Sequence, residues 1–409
     1  MPVIVLAWSV LASALASRLL DNTVAIQDIN GNAYLTSVGN VGGAVGVLGL
    51  LGAAAVAADT IGRSRYRPGS SCFSAAIMGL MSWWVIAGLL RHDVNSLDAL
   101  YMATALLLAI AVRRLPITML TVRRVATVLD LAIVAALLYS VLSPRLGQLP
   151  CRPDKCGIFG TLLTGFGISE NYIGKVVVLL LPTLIAVNSR WRLGKTLGLA
   201  ALLILATGSR TALISYCIVS LYILYGRHQV CRRNEVVHVA LIWRIAPAAF
   251  LLVSLQVFLT AAPTSLTGRG IIYSSIRREL TGYALLLGSG PDTVRRAAEA
   301  GLGGSSVPVS EHGQVPHLLV QAGVPGLLLF ALAICSFILP RRWSVEQITC
   351  LGLVLAGATE SITEVGWTIQ PRSFDYVSLL LALGLSDVKA HHRRVVALSP
   401  ADASNGKSL

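Results

Sequence analysis

Charge is what this chain has least of. Only 13% of its 409 residues are Asp, Glu, Lys or Arg, about half the ~25% of an ordinary soluble domain, and 55% are hydrophobic. That composition excludes a water-soluble globule. No phosphate-binding glycine loop of the GxxxxGK[ST] kind occurs, no GxGxxG follows a strand pattern, and no polar stretch is long enough to fold as a nucleotide-binding domain. Energy from ATP is therefore not indicated. Cysteine is sparse, with seven residues in all. Cys151 and Cys156 lie five apart in one loop, and no second Cys or His pair stands nearby to complete a metal site. They read as a local disulfide or as two free thiols.

What is present is a succession of apolar windows of roughly 20 residues, the length that crosses a bilayer as a helix. They fall near 2–20, 38–58, 72–90, 98–112, 125–143, 170–188, 193–208, 211–226, 245–262, 317–339, 346–362 and 374–388. The chain thus reads as one all-α integral membrane domain over 1–409, polytopic, with about twelve transmembrane helices. Residues 1–20 contain small-residue pairs resembling a cleavage site, but no basic segment precedes the apolar run, so they read as a retained first span.

The net charge of +14 is not a nucleic-acid signature, because the basic residues occupy every second gap between spans. Arg63, Arg65 and Arg67 fill one gap; Arg113, Arg114, Arg123 and Arg124 the next; then come Arg190, Arg192 and Lys195, then Arg227, Arg232 and Arg233, then Arg341 and Arg342, and last Lys389, Arg393 and Arg394. Segment 21–37 has no Lys or Arg. The positive-inside rule makes the basic side cytoplasmic, with both termini there. The localisation expected is the cytoplasmic membrane, multi-pass.

Polar residues concentrate in segment 263–316, which falls on the opposite, extracytoplasmic side. Long ordered loops usually carry function, and this one is expected to hold part of an active site. Ile272, Ile276, Leu280 and Tyr283 recur at helical spacing, which predicts a short helix lying on the membrane or on the bundle; a second helix is expected over 292–300. Three side chains suggest chemistry on an anionic substrate. Arg269 lies near the start of the segment, in Thr267-Gly268-Arg269, where a solvated loop charge and a phosphate ligand are both open readings. Arg210 follows Gly208-Ser209 in a tight corner between two spans, and the run 193–207 rises only about 22 Å as a helix. That places Arg210 below the surface of a roughly 30 Å core, where a cation needs a cavity or counter-charge. Both guanidinium groups have the forked donors that suit phosphate oxygens. His312, near the loop's end, is a candidate proton acceptor. Glu360 and Glu364 are four apart on one helix face, placed either to pair with loop arginines or to shape an acceptor pocket. Lys175, near the outer end of its span, is open to both structural and functional readings. The five-residue step from His312 to His317 fits no zinc pattern, and no metal or other cofactor is expected.

Three blocks together resemble the O-antigen ligase and O-antigen polymerase superfamily. The first is Asn171-Tyr172-Ile173-Gly174 followed by Pro182. Next is the corner Gly208-Ser209-Arg210-Thr211-Ala212. The third runs from Gly268-Arg269 and Tyr273 through Gly288-Ser289-Gly290 to His312, and on to Leu319, Val320, Gly323, Pro325 and Gly326. They cover about 171–326; Gly313 stands where the family often has Asn. The resemblance implies a GT-C-like, metal-independent membrane glycosyltransferase of cell-envelope polysaccharide assembly, active on the extracytoplasmic face. Its donor would be a glycan on undecaprenyl or a related polyprenyl diphosphate, and its acceptor a hydroxyl of a glycolipid (ligase) or of another lipid-linked glycan (polymerase). Arg210 and Arg269 would hold the diphosphate and His312 would orient or deprotonate the acceptor. Asn171, Gly288 and Gly290, with Glu360 and Glu364, are the expected substrate-binding residues. By topology alone a multispan transporter or lipid-linked oligosaccharide flippase fits as well, and a cell-envelope scaffold is a third class. Few ionisable residues inside the spans, and polar candidates gathered at one face, favour the enzyme.

Overall fold

The computed structural model describes residues 2–27, 33–38, 41–63, 71–92, 96–114, 117–151, 155–165, 170–232, 239–262, 269–290, 313–339, 343–362, 364–368 and 373–387. The chain is a membrane protein of the all-α class, helical apart from two small hairpins among the described residues. Its helices are α1 Pro2–Leu20, α2 Val41–Arg63, α3 Cys72–Arg91, α4 Ser96–Arg114, α5 Met119–Leu142, the single turn α6 Pro144–Gly147, and α7 Glu170–Leu180, which tightens into a 3-10 turn at Leu181–Ala186. Then come α8 Arg190–Thr207, α9 Arg210–Arg232, α10 Leu241–Thr260, α11 Arg269–Glu279, α12 Tyr283–Leu287, α13 Gln314–Cys335, α14 Val345–Glu360 and α15 Phe374–Ser386. Gly43–Arg63, Cys72–Arg91, Met119–Leu142, Leu241–Thr260 and Gln314–Cys335 are long and apolar enough to cross a membrane by length and composition.

The strands among the described residues form two small antiparallel hairpins, β1 Asn22–Gln27 with β2 Ala33–Val38, and β3 Gln148–Pro150 with β4 Thr161–Leu163. The alternation Thr-Val-Ala-Ile-Gln between two apolar helices suits a strand, and a hydropathy window does not separate it from a loop.

Helices α14 and α15 form the centre. Every residue from Ile348 to Glu360 and from Phe374 to Ser386 is buried, as expected for helices that are apolar on all faces. Both start at serine caps. The Ser344 hydroxyl accepts from the Gln347 amide while the Gln347 side chain accepts from the Ser344 amide, and the Ser373 hydroxyl accepts from the Tyr376 amide. These bonds satisfy N–H groups that the first turn leaves without helical partners.

The basic gaps meet at one end of the bundle. Asp387, just past α15, accepts from Arg113 Nε at 3.0 Å, from the Ser71 amide at 3.0 Å and from the Ser74 hydroxyl at 2.7 Å. Arg123 donates to the Ala186 carbonyl and the Asn188 amide oxygen, and Arg227 to the Asn188 carbonyl. At the other end β2 packs on β3.

Helix α13 is broken at Gly323, whose φ of 65° and ψ of −165° are not helical. The carbonyls freed by the break all find donors. Val320 O accepts from the Gly290 amide at 2.9 Å, Gln321 O from Arg91 at 3.0 Å, and Ala322 O from the Trp83 indole at 2.8 Å. The C-terminus of α12 fills the notch: a Cβ on Gly323 would overlap the Leu285 and Leu286 carbonyls. A discontinuous helix inside a membrane is tolerated when its free backbone groups are satisfied in this way.

Helix α11 forms over Arg269–Glu279 as its periodicity predicts and lies on the bundle, with Ile272, Tyr273 and Ile276 buried. Its apolar stripe does not extend to Tyr283. The helix stops before Gly282, at φ 54°, and Tyr283 is 85% exposed in α12. The expected helix at 292–300 lies outside the described residues.

Candidate functional site

A polar chain runs across the end of the bundle that carries α11. Arg269, the first residue of α11, donates through Nη2 to Glu364 Oε1 at 2.8 Å. Asn171, in the first turn of α7, donates through Nδ2 to the same oxygen at 3.2 Å. Its own Oδ1 accepts from Lys155 Nζ at 2.6 Å, and Lys155 also pairs with Glu170 at 3.0 Å. Four segments far apart in sequence are thus linked by charge-assisted hydrogen bonds. Glu364 pairs with a loop arginine, one of the two roles open to it from the sequence.

Behind this row lies a more deeply buried cluster. Lys175 Nζ donates to Asp375 Oδ2 at 2.7 Å and to the Val365 carbonyl at 3.1 Å, and it sits 5.5 Å from the centre of the Tyr172 ring. Glu360, the last residue of α14, is 1% exposed and lies close to Ser215 of α9. Glu360 Oε1 and Asp375 Oδ1 find no hydrogen-bond partner among the described residues. Lys175 is the sixth residue of α7 and Asp375 the second of α15. The ionisable groups therefore gather near helix ends.

Arg210 starts α9 directly after the corner. Gly208 takes a left-handed φ of 64° as the C-cap of α8, and the Thr207 hydroxyl accepts from the Ser209 amide at 3.2 Å. A side chain on Gly208 would press on the Cys156 carbonyl at 3.0 Å, which explains glycine there twice over. Helix α7 lies against the corner: a Cβ on Gly174 would come within 2.8 Å of the Ala212 Cβ. Arg210 is exposed. Gly174 and Ala212 on one side, and Ser215 and Glu360 on the other, tie its helix end to the elements that carry Asn171 and Glu364.

Cys151 and Cys156 form a disulfide with Cα atoms 4.7 Å apart. The segment after Cys156 lies against the corner, where the Ile158 amide donates to the Leu205 carbonyl at 3.4 Å. This positions Lys155 over α7.

His312 and its neighbour Glu311 lie outside the described residues. The chain directly after them is fixed on the Ser361–Trp367 turn that carries Glu364. The Gln314 amide donates to the Ser361 carbonyl at 3.2 Å, Gln314 Nε2 to the Trp367 carbonyl at 3.0 Å, and the Trp367 amide to Gln314 Oε1 at 2.8 Å. Gly313 has φ 126°, and a Cβ there would stand 3.0 Å from the Tyr273 hydroxyl. Burial raises the Tyr273 pKa to about 12, with Arg269 opposing and Glu364 reinforcing the rise. Tyr273 is thus a neutral hydroxyl at any physiological pH.

Gly288 and Gly290, expected to touch substrate, meet the broken helix. Gly288 has φ 81°, a Cβ on it would overlap the Val320 carbonyl, and Gly290 donates to that carbonyl. The glycines permit close approach of backbone to backbone.

Lys155 and Glu170 were given no role from the sequence, and Tyr172 entered only as part of the Asn171-Tyr172-Ile173-Gly174 block. Lys155 sits in a short Cys-x4-Cys loop that looks solvated, and nothing local marks the contact with Asn171 sixteen residues on. Nothing local in the sequence links Asp375 to its partner Lys175, 200 positions away. Among the described residues no group of three or more His, Cys, Asp or Glu side chains is disposed to hold a metal ion. Compared with known proteins, the chain matches no family model, no curated sequence and no solved structure.

Proposed function

We propose that the protein is a membrane glycosyltransferase that moves a glycan from a polyprenyl diphosphate to an acceptor hydroxyl, as an O-antigen ligase or polymerase does. The observation that carries this reading is the row Arg269, Glu364, Asn171 and Lys155, assembled at the end of the bundle where α7 packs on the Arg210 corner. It gathers anion-binding side chains beside the backbone that leads out of His312. In the proposed orientation all twelve apolar helices cross the cytoplasmic membrane, both termini are cytoplasmic, and the row faces outward. The placement of Arg113, Arg123 and Arg227 at the opposite end supports that orientation.

In the reaction, the acceptor oxygen attacks the anomeric carbon as its proton passes to His312. The bond from that carbon to the phosphate oxygen breaks, and the glycan remains on the acceptor. The electron pair departs with the polyprenyl diphosphate, whose growing charge is stabilised by Arg210 and Arg269. No nucleotide takes part.

A second reading, a secondary transporter, draws support from the buried Lys175, Asp375 and Glu360, since ionisable groups inside spans often mark ion or proton paths. Their position near helix ends, rather than at the midplane, favours the transferase. The purified protein, given a polyprenyl-diphosphate-linked glycan and an acceptor, is expected to release polyprenyl diphosphate without ATP. A glycolipid acceptor supporting release identifies a ligase, and a second lipid-linked unit a polymerase. Movement of the lipid-linked glycan across sealed vesicles with no bond cleaved would establish the transporter instead.

A further inference from the structure

Two donors from different elements converge on a single anionic oxygen. Arg269 Nη2 at 2.8 Å and Asn171 Nδ2 at 3.2 Å both point at Glu364 Oε1. This is the arrangement that a phosphoryl oxygen would require, and here a carboxylate of the chain itself fills it. The pair is reachable from outside, with side-chain exposures of 18% for Arg269 and 15% for Glu364, whereas Lys155 and Glu170 behind it are closed off at 9% and 6%.

Lys155 determines which way Asn171 faces. An ammonium has three donors and no acceptor, so the amide must turn its oxygen to Lys155, at 2.6 Å, and its NH2 to Glu364. Glu170 holds Lys155 from the other side at 3.0 Å. The donor end of Asn171 is thereby aimed at the anion position before any ligand arrives.

We propose that Glu364 is a specificity-determining counter-ion occupying the place of a phosphoryl oxygen of the donor, which the donor must displace, and that Lys155 is the positioning residue for Asn171. The proposal rests on the diphosphate reading above and adds to it a reason for selectivity. The protein sits among phospholipids whose headgroups carry a single phosphate. A monophosphate that takes Arg269 has no second cation to bind and carries the whole cost of breaking the Arg269–Glu364 ion pair, whereas a diphosphate that spreads its charge over Arg269 and Arg210 draws less on the Arg269 contact and meets only part of that cost. The resident carboxylate thus keeps singly charged headgroups out of the site.

The test is equilibrium binding of farnesyl diphosphate and farnesyl monophosphate to the full-length protein in detergent, at one fixed ionic strength, for wild type, Glu364→Gln, Lys155→Met and Lys155→Arg. Glutamine keeps the shape of the side chain and removes the competing charge. In Glu364→Gln, monophosphate should bind at least tenfold more tightly, and the preference for diphosphate should fall at least fivefold. Lys155→Met should weaken diphosphate binding about tenfold by freeing the amide to turn, and Lys155→Arg should restore most of it. A folded Glu364→Gln protein with unchanged or weaker affinity for both probes would overturn the displacement. If that variant does not fold, the Lys155 pair decides, since wild-type affinity in a folded Lys155→Met protein would equally overturn the proposal. Failure of the wild type to bind farnesyl diphosphate, with Arg269→Ala no different, is a separate outcome that removes the diphosphate reading itself.

Discussion

Replacing Lys175 with methionine should unfold the detergent-purified protein at a markedly lower temperature, with a loss of about 3–5 kcal/mol, the cost typical of removing one partner from a buried ion pair. The expectation follows from where the pair sits. Lys175 and Asp375 have side-chain exposures of 10% and 2%, and Asp375 Oδ1 already lacks a hydrogen-bond partner among the described residues. Removing the ammonium takes the Lys175 donor from Oδ2 and leaves the buried carboxylate near Glu360, while Glu360 and Glu364 both lie close enough to act on Lys175. Asp375→Asn should cost less, because Lys175 keeps the Val365 carbonyl and those two neighbouring carboxylates. The double variant Lys175→Met/Asp375→Asn should recover much of the loss, since neither charge then remains to be desolvated. A melting temperature for Lys175→Met within a degree or two of wild type would show that water reaches the pair.

Alanine at Arg210, Arg269 or His312 should each slow release of polyprenyl diphosphate tenfold or more, equivalent to roughly 1.4 kcal/mol or above per side chain. Lysine at either arginine should retain part of the rate, because it keeps the charge but loses the planar fork that engages two phosphate oxygens together. Arg269→Ala carries a second consequence. Glu364 loses its guanidinium and stands at the proposed phosphate position without that counter-charge, so this variant should also bind the donor less well. Initial rates across donor concentration separate the two effects: KM rises and kcat falls for Arg269→Ala, whereas His312→Ala should lower kcat with little change in KM. Wild-type turnover in all three variants would remove the mechanism.

Much of the framework was legible because hydropathy reports burial in lipid and in a dry core alike. Each apolar window contains a helix, five of these helices are long and apolar enough to cross a membrane, and the displacements of their ends have causes. The window at 245–262 starts late because it shuns Arg244, yet α10 begins at Leu241, with Arg244 donating to the Ile338 carbonyl at 3.1 Å. Similarly, α13 begins at Gln314 rather than near 317, because a polar side chain bonded at both ends to the Trp367 backbone behaves as a buried one. Gly208-Ser209-Arg210 was readable as a corner, since a left-handed residue at a helix end selects glycine. The partners of the charged groups were not legible. Lys175 with Asp375, and Asn171 with Glu364, are separated by 200 and 193 positions, and no local pattern encodes contacts made only after the helices pack. The glycines at 288, 290 and 323 were visible as a motif, but the broken helix they serve could be recognised only once Val320, Gln321 and Ala322 were seen with their new donors.

The account depends on Arg210, Arg269 and His312 standing around one space at one end of the bundle. Spin labels placed pairwise at these positions measure that most directly. The background is a full-length protein whose free cysteines 72, 217, 231, 335 and 350 are replaced and whose Cys151–Cys156 disulfide is kept. The account predicts that all three distances measured by pulsed electron resonance lie well inside the roughly 30 Å thickness of a hydrocarbon core. A distance from either arginine to position 312 equal to that thickness or longer would place them on opposite membrane faces and contradict it.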